Sequence, residues 1–270
     1  MAKDREGLPE YEVYALRFAS MERTTSENFM YRDAHDEAMS MDFFVWLIRS
    51  GPEVVLVDTG FGARSAAQRQ RALAHCPIAA LSHLGVEAGQ VRDVILTHLH
   101  WDHAGNLDKL PNATFHIQDA EVDYATGRCM CEPFLRRAYA VEDVCDLVRR
   151  VYEERVRFHQ GDAVLKPGIE LIHVGGHTKG LQAVRVHTAR GWVVLASDAA
   201  HYYANMTRRN PFPVVWNVAA MLEGHAALAR RAASAEHVVP GHDPLVLVRY
   251  PRLAGLPVDV ACLHREPAPA

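Results

Sequence analysis

Val94-Ile95-Leu96-Thr97-His98-Leu99-His100-Trp101-Asp102-His103-Ala104-Gly105 is an apolar run that ends abruptly in six residues carrying three histidines and an aspartate. His98 and His100 are two apart. On an extended segment that spacing puts both side chains on one side, whereas on a helix they would diverge by about 200°. The block therefore belongs at a strand end or in a loop. Asp102 and His103 follow at once and, after a bend, can serve a second metal; Gly105 permits the tight turn.

Working outward, the same arrangement recurs. Val54 to Val57 ends at Asp58, Leu171 to Val174 leads to His177, Val193 to Ser197 ends at Asp198, and Val238 to Pro240 leads to His242. Short continuous Val/Ile/Leu runs are how the buried strands of an α/β protein read, and ligands gather beyond the carboxyl ends of such strands. Strand ends that deliver histidine and carboxylate to one place suit a first-row divalent metal. The chemistry expected is metal-assisted.

The remaining pattern is compatible with one α/β domain over residues 1–270, since no Pro-, Gly- or Ser-rich linker divides the chain. Tyr11 to Leu16, Met41 to Ile48 and Thr114 to Ile117 read as strands, and Ser50-Gly51-Pro52-Glu53 reads as a turn. Helices are expected around Ala66 to Ala74, from Ile78 to Leu84, over Val141 to Val151 and over Met221 to Ala233, with the middle of the chain covering the rim of the site.

Composition bounds the function. A net charge of −4 and a pI near 6.5 remove the basic surface that nucleic acid or an anionic membrane would need. No run approaches the roughly 18 apolar residues of a membrane span. The start of the chain is charged and lacks an apolar leader core, and the five cysteines lack zinc-ribbon or thioredoxin spacing, so a cytoplasmic protein is expected. Most of the sixteen histidines, His173 among them, are read as ordinary surface or core residues.

His98-Leu99-His100-Trp101-Asp102-His103 resembles the His-x-His-x-Asp-His signature of the metallo-β-lactamase superfamily. Asp58-Thr59-Gly60, Gly176-His177-Thr178-Lys179-Gly180, Asp198 and His242 resemble the family's other motifs, in the family's order. The resemblance implies a four-layer αββα sandwich, two mixed sheets flanked by helices. It implies two divalent metal ions per chain, with zinc the default and manganese, iron or cobalt as alternatives. His98, His100 and His177 would hold one metal, Asp102, His103 and His242 the other, with Asp198 between them and Asp58 in support.

Within the superfamily, Asp198 stands where one common β-lactamase class has cysteine, the basic modules of the nucleases are absent, and His100 stands where oxygen-reducing relatives have an acid. The N-acyl-homoserine lactonase group is similar in length, and its His-Thr-x-Gly-His-Gln is similar to His177-Thr178-Lys179-Gly180-Leu181-Gln182, with Leu181 departing from the pattern. This implies opening of a lactone by a hydroxide held between two metals about 3.5 Å apart. Asp102 or Asp198 would relay the proton. The group's catalytic tyrosine falls at His201, so His201 or Tyr202 is expected to hold the oxyanion.

Met21, Phe61, Trp101 and Phe134 are the apolar candidates for an acyl pocket, and Arg208 to Pro213 reads as a loop where substrate enters. The partner expected is a small-molecule lactone, with neither nucleic acid nor membrane and with room for a homodimer. The alternatives are thioester hydrolysis of the glyoxalase II type, another ester or cyclic-amide hydrolysis on the same metals, and metal binding without catalysis.

Overall fold

Every residue from Met41 to Ile48 is buried, a state a strand reaches only when both faces of its sheet are covered. The computed structural model, which describes residues 7–32 and 34–268, shows what covers them. In chain order its strands are β1 (Glu12–Met21), β2 (Met41–Ser50), β3 (Glu53–Val57), β4 (Asp93–Ile95), β5 (Thr114–Gln118), β6 (Val156–His159), β7 (Ala163–Lys166), β8 (Ile169–His173), β9 (Gln182–Thr188), β10 (Gly191–Ser197), β11 (Val238–Pro240) and β12 (Val260–Cys262). They form a seven-stranded sheet, β12-β1-β2-β3-β4-β5-β6, and a five-stranded sheet, β11-β10-β9-β8-β7. Both sheets are mixed. β3 to β6 pair in parallel, as do β10 and β11, and the other pairings are antiparallel.

Period-two alternation sorts the side chains into layers. Phe44, Trp46 and Ile48 of β2 meet Val184, Val186, Val193 and Leu195 of the other sheet in one cluster between the sheets. Phe43, Val45 and Leu47 face the opposite way and pack with Ala66, Leu81, Val144 and Leu147, which come from helices outside the first sheet. Val194 and Ala196 point away from the inter-sheet core and pack with Leu228 of the helix Val218–Arg231. The result is helix, sheet, sheet, helix, the αββα sandwich. At about 25 cal/mol per Å² of apolar surface, these shared layers supply the main force holding the two sheets in register.

The helix expected around Ala66 to Ala74 spans Ala63–Arg69, the one expected over Met221 to Ala233 spans Val218–Arg231, and two strands also differ in detail. β1 continues past Leu16 to Met21 through a bulge between Arg17 and Ala19; Arg17 turns out to Asp42 and Asp259. β4 stops at Ile95 and does not reach Thr97, because the Thr97 amide donates to the Asp58 carboxylate at 2.7 Å. Ser50-Gly51-Pro52-Glu53 does turn β2 into β3, with Gly51 at φ 54° and Ser50 opposite Glu53. No described helix is long and apolar enough to cross a membrane.

Candidate active site

The strand ends converge. Asp58 follows β3, His98 follows β4 by way of Thr97, His177 follows β8, Asp198 follows β10, and His242 follows β11. Asp58 and Ser197 both take left-handed backbone, φ 59° and 46°, uncommon outside glycine. Their surroundings hold them there. The Asp58 carboxylate accepts from the Thr97 amide, from Thr97 Oγ1 at 2.8 Å and from His103 Nδ1 at 2.8 Å, while Thr97 Oγ1 also meets Ser197 Oγ at 2.9 Å. One buried threonine thus ties together three strand ends.

Three of the histidines are aimed by what their outer nitrogen touches. His103 Nδ1 donates to Asp58, His177 Nδ1 to the Val214 carbonyl at 2.6 Å, and His242 Nδ1 to the Asp42 carbonyl at 2.8 Å. The Nε2 atoms are left pointing inward, the arrangement in which protein imidazoles bind metals. They surround Asp198. Its Oδ1 lies 3.2 Å from His103 Nε2 and 3.0 Å from His242 Nε2; its Oδ2 lies 3.2 Å from His177 Nε2, 3.0 Å from His201 Nε2 and 3.8 Å from His98 Nε2.

Charge follows from this crowding. Burial opposes ionisation of Asp198, but His201, His103, His242 and His177 outweigh it and hold the carboxyl well below the usual range. Burial also opposes a charged His103, and Asp198, Asp102 and Asp58 reverse the balance, holding its imidazole well above the usual range. His98 and His100 go well below theirs, through burial and the neighbouring imidazoles.

This donor set fits divalent cations. His98, His100, His177 and Asp198 form one group of ligand atoms all within 4.8 Å of one another, and Asp102, His103 and His242 form another. The buried His98 Nε2 and His103 Nε2 have no hydrogen-bond partner among the described residues. His100 Nδ1 and His177 Nε2 sit 2.9 Å apart in hydrogen-bond contact, and a cation there would take the place of the proton they share.

The metallo-beta-lactamase superfamily model matches residues 44–243, which hold every one of these ligands. The chain belongs to that family. An N-acyl homoserine lactonase of Bacillus sp. is 31% identical over 133 residues, 49% of this chain and 48% of that one. A probable metallo-hydrolase of Mycobacterium tuberculosis is 27% identical over 209 residues, 63% of this chain and 61% of that one. The chain therefore spans about half of the lactonase's length and 61% of the metallo-hydrolase's. A solved quorum-quenching N-acyl homoserine lactone hydrolase superposes with a TM-score of 0.73 at 20% identity, over 88% of this chain and 94% of that one. At that identity the likeness is one of fold.

On this superfamily scaffold a cavity of about 160 Å³ opens over the ligands. Of the four apolar candidates, Met21 and Trp101 line it. Phe61 does not. It is fully buried behind the wall, with its ring 4.8 Å from Trp101 and 5.0 Å from Phe18. Phe134 does not either: it is 58% exposed on the one-turn helix Pro133–Arg136, under the Arg137 guanidinium. An apolar residue type carries no information about which surface it faces.

Tyr202 is also corrected. Its ring belongs to the core and its hydroxyl donates to the Ser40 carbonyl at 3.2 Å, away from the ligands. Tyr203 turns to the Arg249 side of the molecule. His201 is the residue that reaches the cavity, stacked on Phe212 at 3.7 Å between ring centroids and with Nε2 against Asp198. Burial pushes its imidazole down to about 3, so it is neutral at ordinary pH.

Three groups escaped the sequence reading. Glu121, fully buried, accepts from the Leu99 and Gly180 amides, Thr178 Oγ1 and the Tyr139 hydroxyl, and so fastens the His98 segment to the His177 segment. Gly180 is obligatory there, since a Cβ would fall 2.1 Å from the Glu121 amide nitrogen. Arg23, Arg69 and Arg71 stand on the cavity wall. The glycine in Gly176-His177-Thr178-Lys179-Gly180 was a usable signal for close backbone approach; the acid and the arginines offered none.

Proposed function

We propose that this chain is a metal-dependent hydrolase that opens a lactone ring. The observation carrying the proposal is Asp198, whose two oxygens face two different sets of inward-pointing imidazoles, one at each end of a single carboxylate. A residue placed this way is suited to hold two cations side by side. The family and the lactonase among the relatives support the choice of an ester-type substrate.

Two divalent ions in these donor groups would supply Lewis acidity and lower the pKa of water. The protein's own part is positioning and proton transfer. A C–O bond forms between water oxygen and the acyl carbon, the acyl bond to the ring oxygen breaks, and the water proton ends on the ring oxygen. Asp102 is the better carrier for that proton. Its side chain keeps 12% exposure and has its nearest imidazole nitrogens at 3.7 and 3.9 Å, whereas Asp198 is engaged at both oxygens and held firmly ionised. His201, held by Phe212, is the group placed to donate to oxygen as negative charge develops, through the Nε2–H that here faces Asp198 Oδ2, a contribution of about 3 kcal/mol for a well-placed donor. It stands in for the tyrosine.

The test is metal analysis followed by a substrate panel on the same sample: short- and long-chain acyl-homoserine lactones, a simple γ-lactone, a glutathione thioester and a cephalosporin. Lactone opening with about two metals per chain, abolished in His103→Ala, is the expected result. Thioester or cephalosporin cleavage without lactone opening would replace the substrate class and leave the hydrolase.

A further inference from the structure

We propose that the substrate of this site is a compact ester or lactone bearing a carboxylate or phosphate, gripped by Arg23, Arg69 and Arg71. The inference rests on the hydrolase reading and narrows it, because an acyl-homoserine lactone carries no charge. The wall of the cavity holds these three arginines and two carboxylates, and both carboxylates, Asp102 and Asp198, belong to the candidate metal ligands. No direct ion pair ties these guanidiniums to either carboxylate, so N–H groups are left for something that enters.

How the arginines are held argues that they are positioned and not merely solvated. Arg23 lies just beyond β1, partly buried. Its Nε donates to Asn28 Oδ1 at 2.6 Å and its Nη2 to the Glu27 carbonyl at 2.7 Å, and its guanidinium lies 5.1 Å from the centre of the Phe212 ring. Arg69 ends the helix Ala63–Arg69. Its Nη2 donates to the Arg137 and Tyr139 carbonyls, each at 3.0 Å, and it lies 4.8 Å from the centre of the Trp101 ring. In both cases the acceptors are neutral. Among the described residues no carboxylate lies within ion-pair distance of Arg23, Arg69 or Arg71, and Nη1 of Arg23 with Nε and Nη1 of Arg69 keep no protein partner.

Partly burying a guanidinium without a direct ion pair is costly, and gathering like charges adds to the cost. Burial disfavours the charge of Arg23 and of Arg69, and Arg71 adds to this, while Glu27 near Arg23, and Asp102 and Asp143 near Arg69, offset part of it without forming an ion pair. A planar fork set on an aromatic face is the arrangement that recognises carboxylate or phosphate. The path to the reacting centre is short and continuous: Arg23 covers Phe212, Phe212 stacks on His201, and His201 meets Asp198. The arginines and the candidate metal ligands line the same cavity of about 160 Å³, so an anion gripped there would sit close to the bond that breaks.

The experiment uses the metal-loaded enzyme and matched substrate pairs: γ-butyrolactone against a γ-lactone carrying a ring carboxylate, and 4-nitrophenyl acetate against 4-nitrophenyl hemisuccinate. The anionic member should be favoured in kcat/KM by about tenfold or more, chiefly through KM, with the preference shrinking as salt is added. Arg23→Gln and Arg69→Gln should each cut that ratio about tenfold, Arg69→Lys should restore part of it, and Arg230→Gln, on the far helix, should leave it in place. Competitive inhibition by succinate and by inorganic phosphate tells which oxyanion the arginines prefer. Calorimetric binding of succinate against its uncharged diamide, in the parent and Arg69→Gln proteins, gives a readout independent of turnover. Equal handling of charged and neutral members, or a preference and succinate binding untouched by both glutamine substitutions, would overturn the proposal. Neutral lactones opened without preference would do so while sparing the lactonase reading; anionic esters cleaved with no lactone opened would do the reverse.

Discussion

At the residue scale, Asp58 shows how a side chain that touches no substrate can govern a site. It fixes which nitrogen of His103 carries the proton, and it holds Thr97 between β4 and β10. Asp58→Asn keeps the size and loses the acceptor charge. Its metal affinity should fall about 10- to 100-fold, read by chelator competition, with activity following metal occupancy. His201 and Tyr202 are neighbours with opposite roles. His201→Ala should lower kcat about a hundredfold at full metal loading, whereas Tyr202→Phe, which loses a hydroxyl bonded to the Ser40 carbonyl, should stay within about threefold of the parent. The reverse order in steady-state kinetics would return the donor role to the tyrosine.

At the element scale, the decisive features are the joints between segments. Gly180→Ala places a methyl on the Glu121 backbone, so it must push apart the loop carrying His177 and the helix Asp119–Thr126. A loss of about 1–3 kcal/mol is expected from denaturant unfolding, together with weakened metal binding. The helix Val141–Tyr152 offers a test by pH. Burial, with Asp146 adding to it, pushes the Asp143 carboxyl up to about 7, and its Oδ2 is buried with no partner among the described residues. The unfolded value is about 3.9. The folded chain thus holds this proton more tightly, and the stability it confers is whole below the unfolded value and lost as pH rises through about 7. Asp143→Asn is neutral throughout, so its melting temperature should exceed the parent's by a margin that widens from pH 5 to pH 8. A constant margin would mean that Asp143 ionises freely.

At the scale of the whole molecule, the candidate ligands come from both sheets: the His98 to His103 block, with Asp58 behind it, from the first, and His177, Asp198 and His242 from the second. Cations shared between them should act as a clasp across the sandwich. A cation held at a hundred times its dissociation constant adds about 3 kcal/mol. Chelation should therefore lower the melting temperature by several degrees, reversibly on adding metal back, and the His103→Ala protein should show little further loss. Stability indifferent to chelator would mean that the donor atoms are organised without a cation.

Much of this was legible in one dimension. Apolar runs that end in an acid or a histidine announce strands buried on both faces, and the two-residue spacing of His98 and His100 excludes a helix, because local geometry alone decides both. Asp58, His98, His100, Asp102, His103, His177, Asp198 and His242 could be named in this way. What chain order could not convey is which way a side chain faces once distant segments meet. Phe61 and Trp101 are alike in type, yet only Trp101 borders the cavity; Tyr202 follows His201 directly, yet it turns into the core. Glu121 and the arginines on the wall take their meaning from residues far away in sequence, and only the packing of β1, the helix Ala63–Arg69 and the His177 loop around one cavity brings those together. Local periodicity determined the strands and the ligands they carry; long-range burial decided which of their neighbours can touch a substrate.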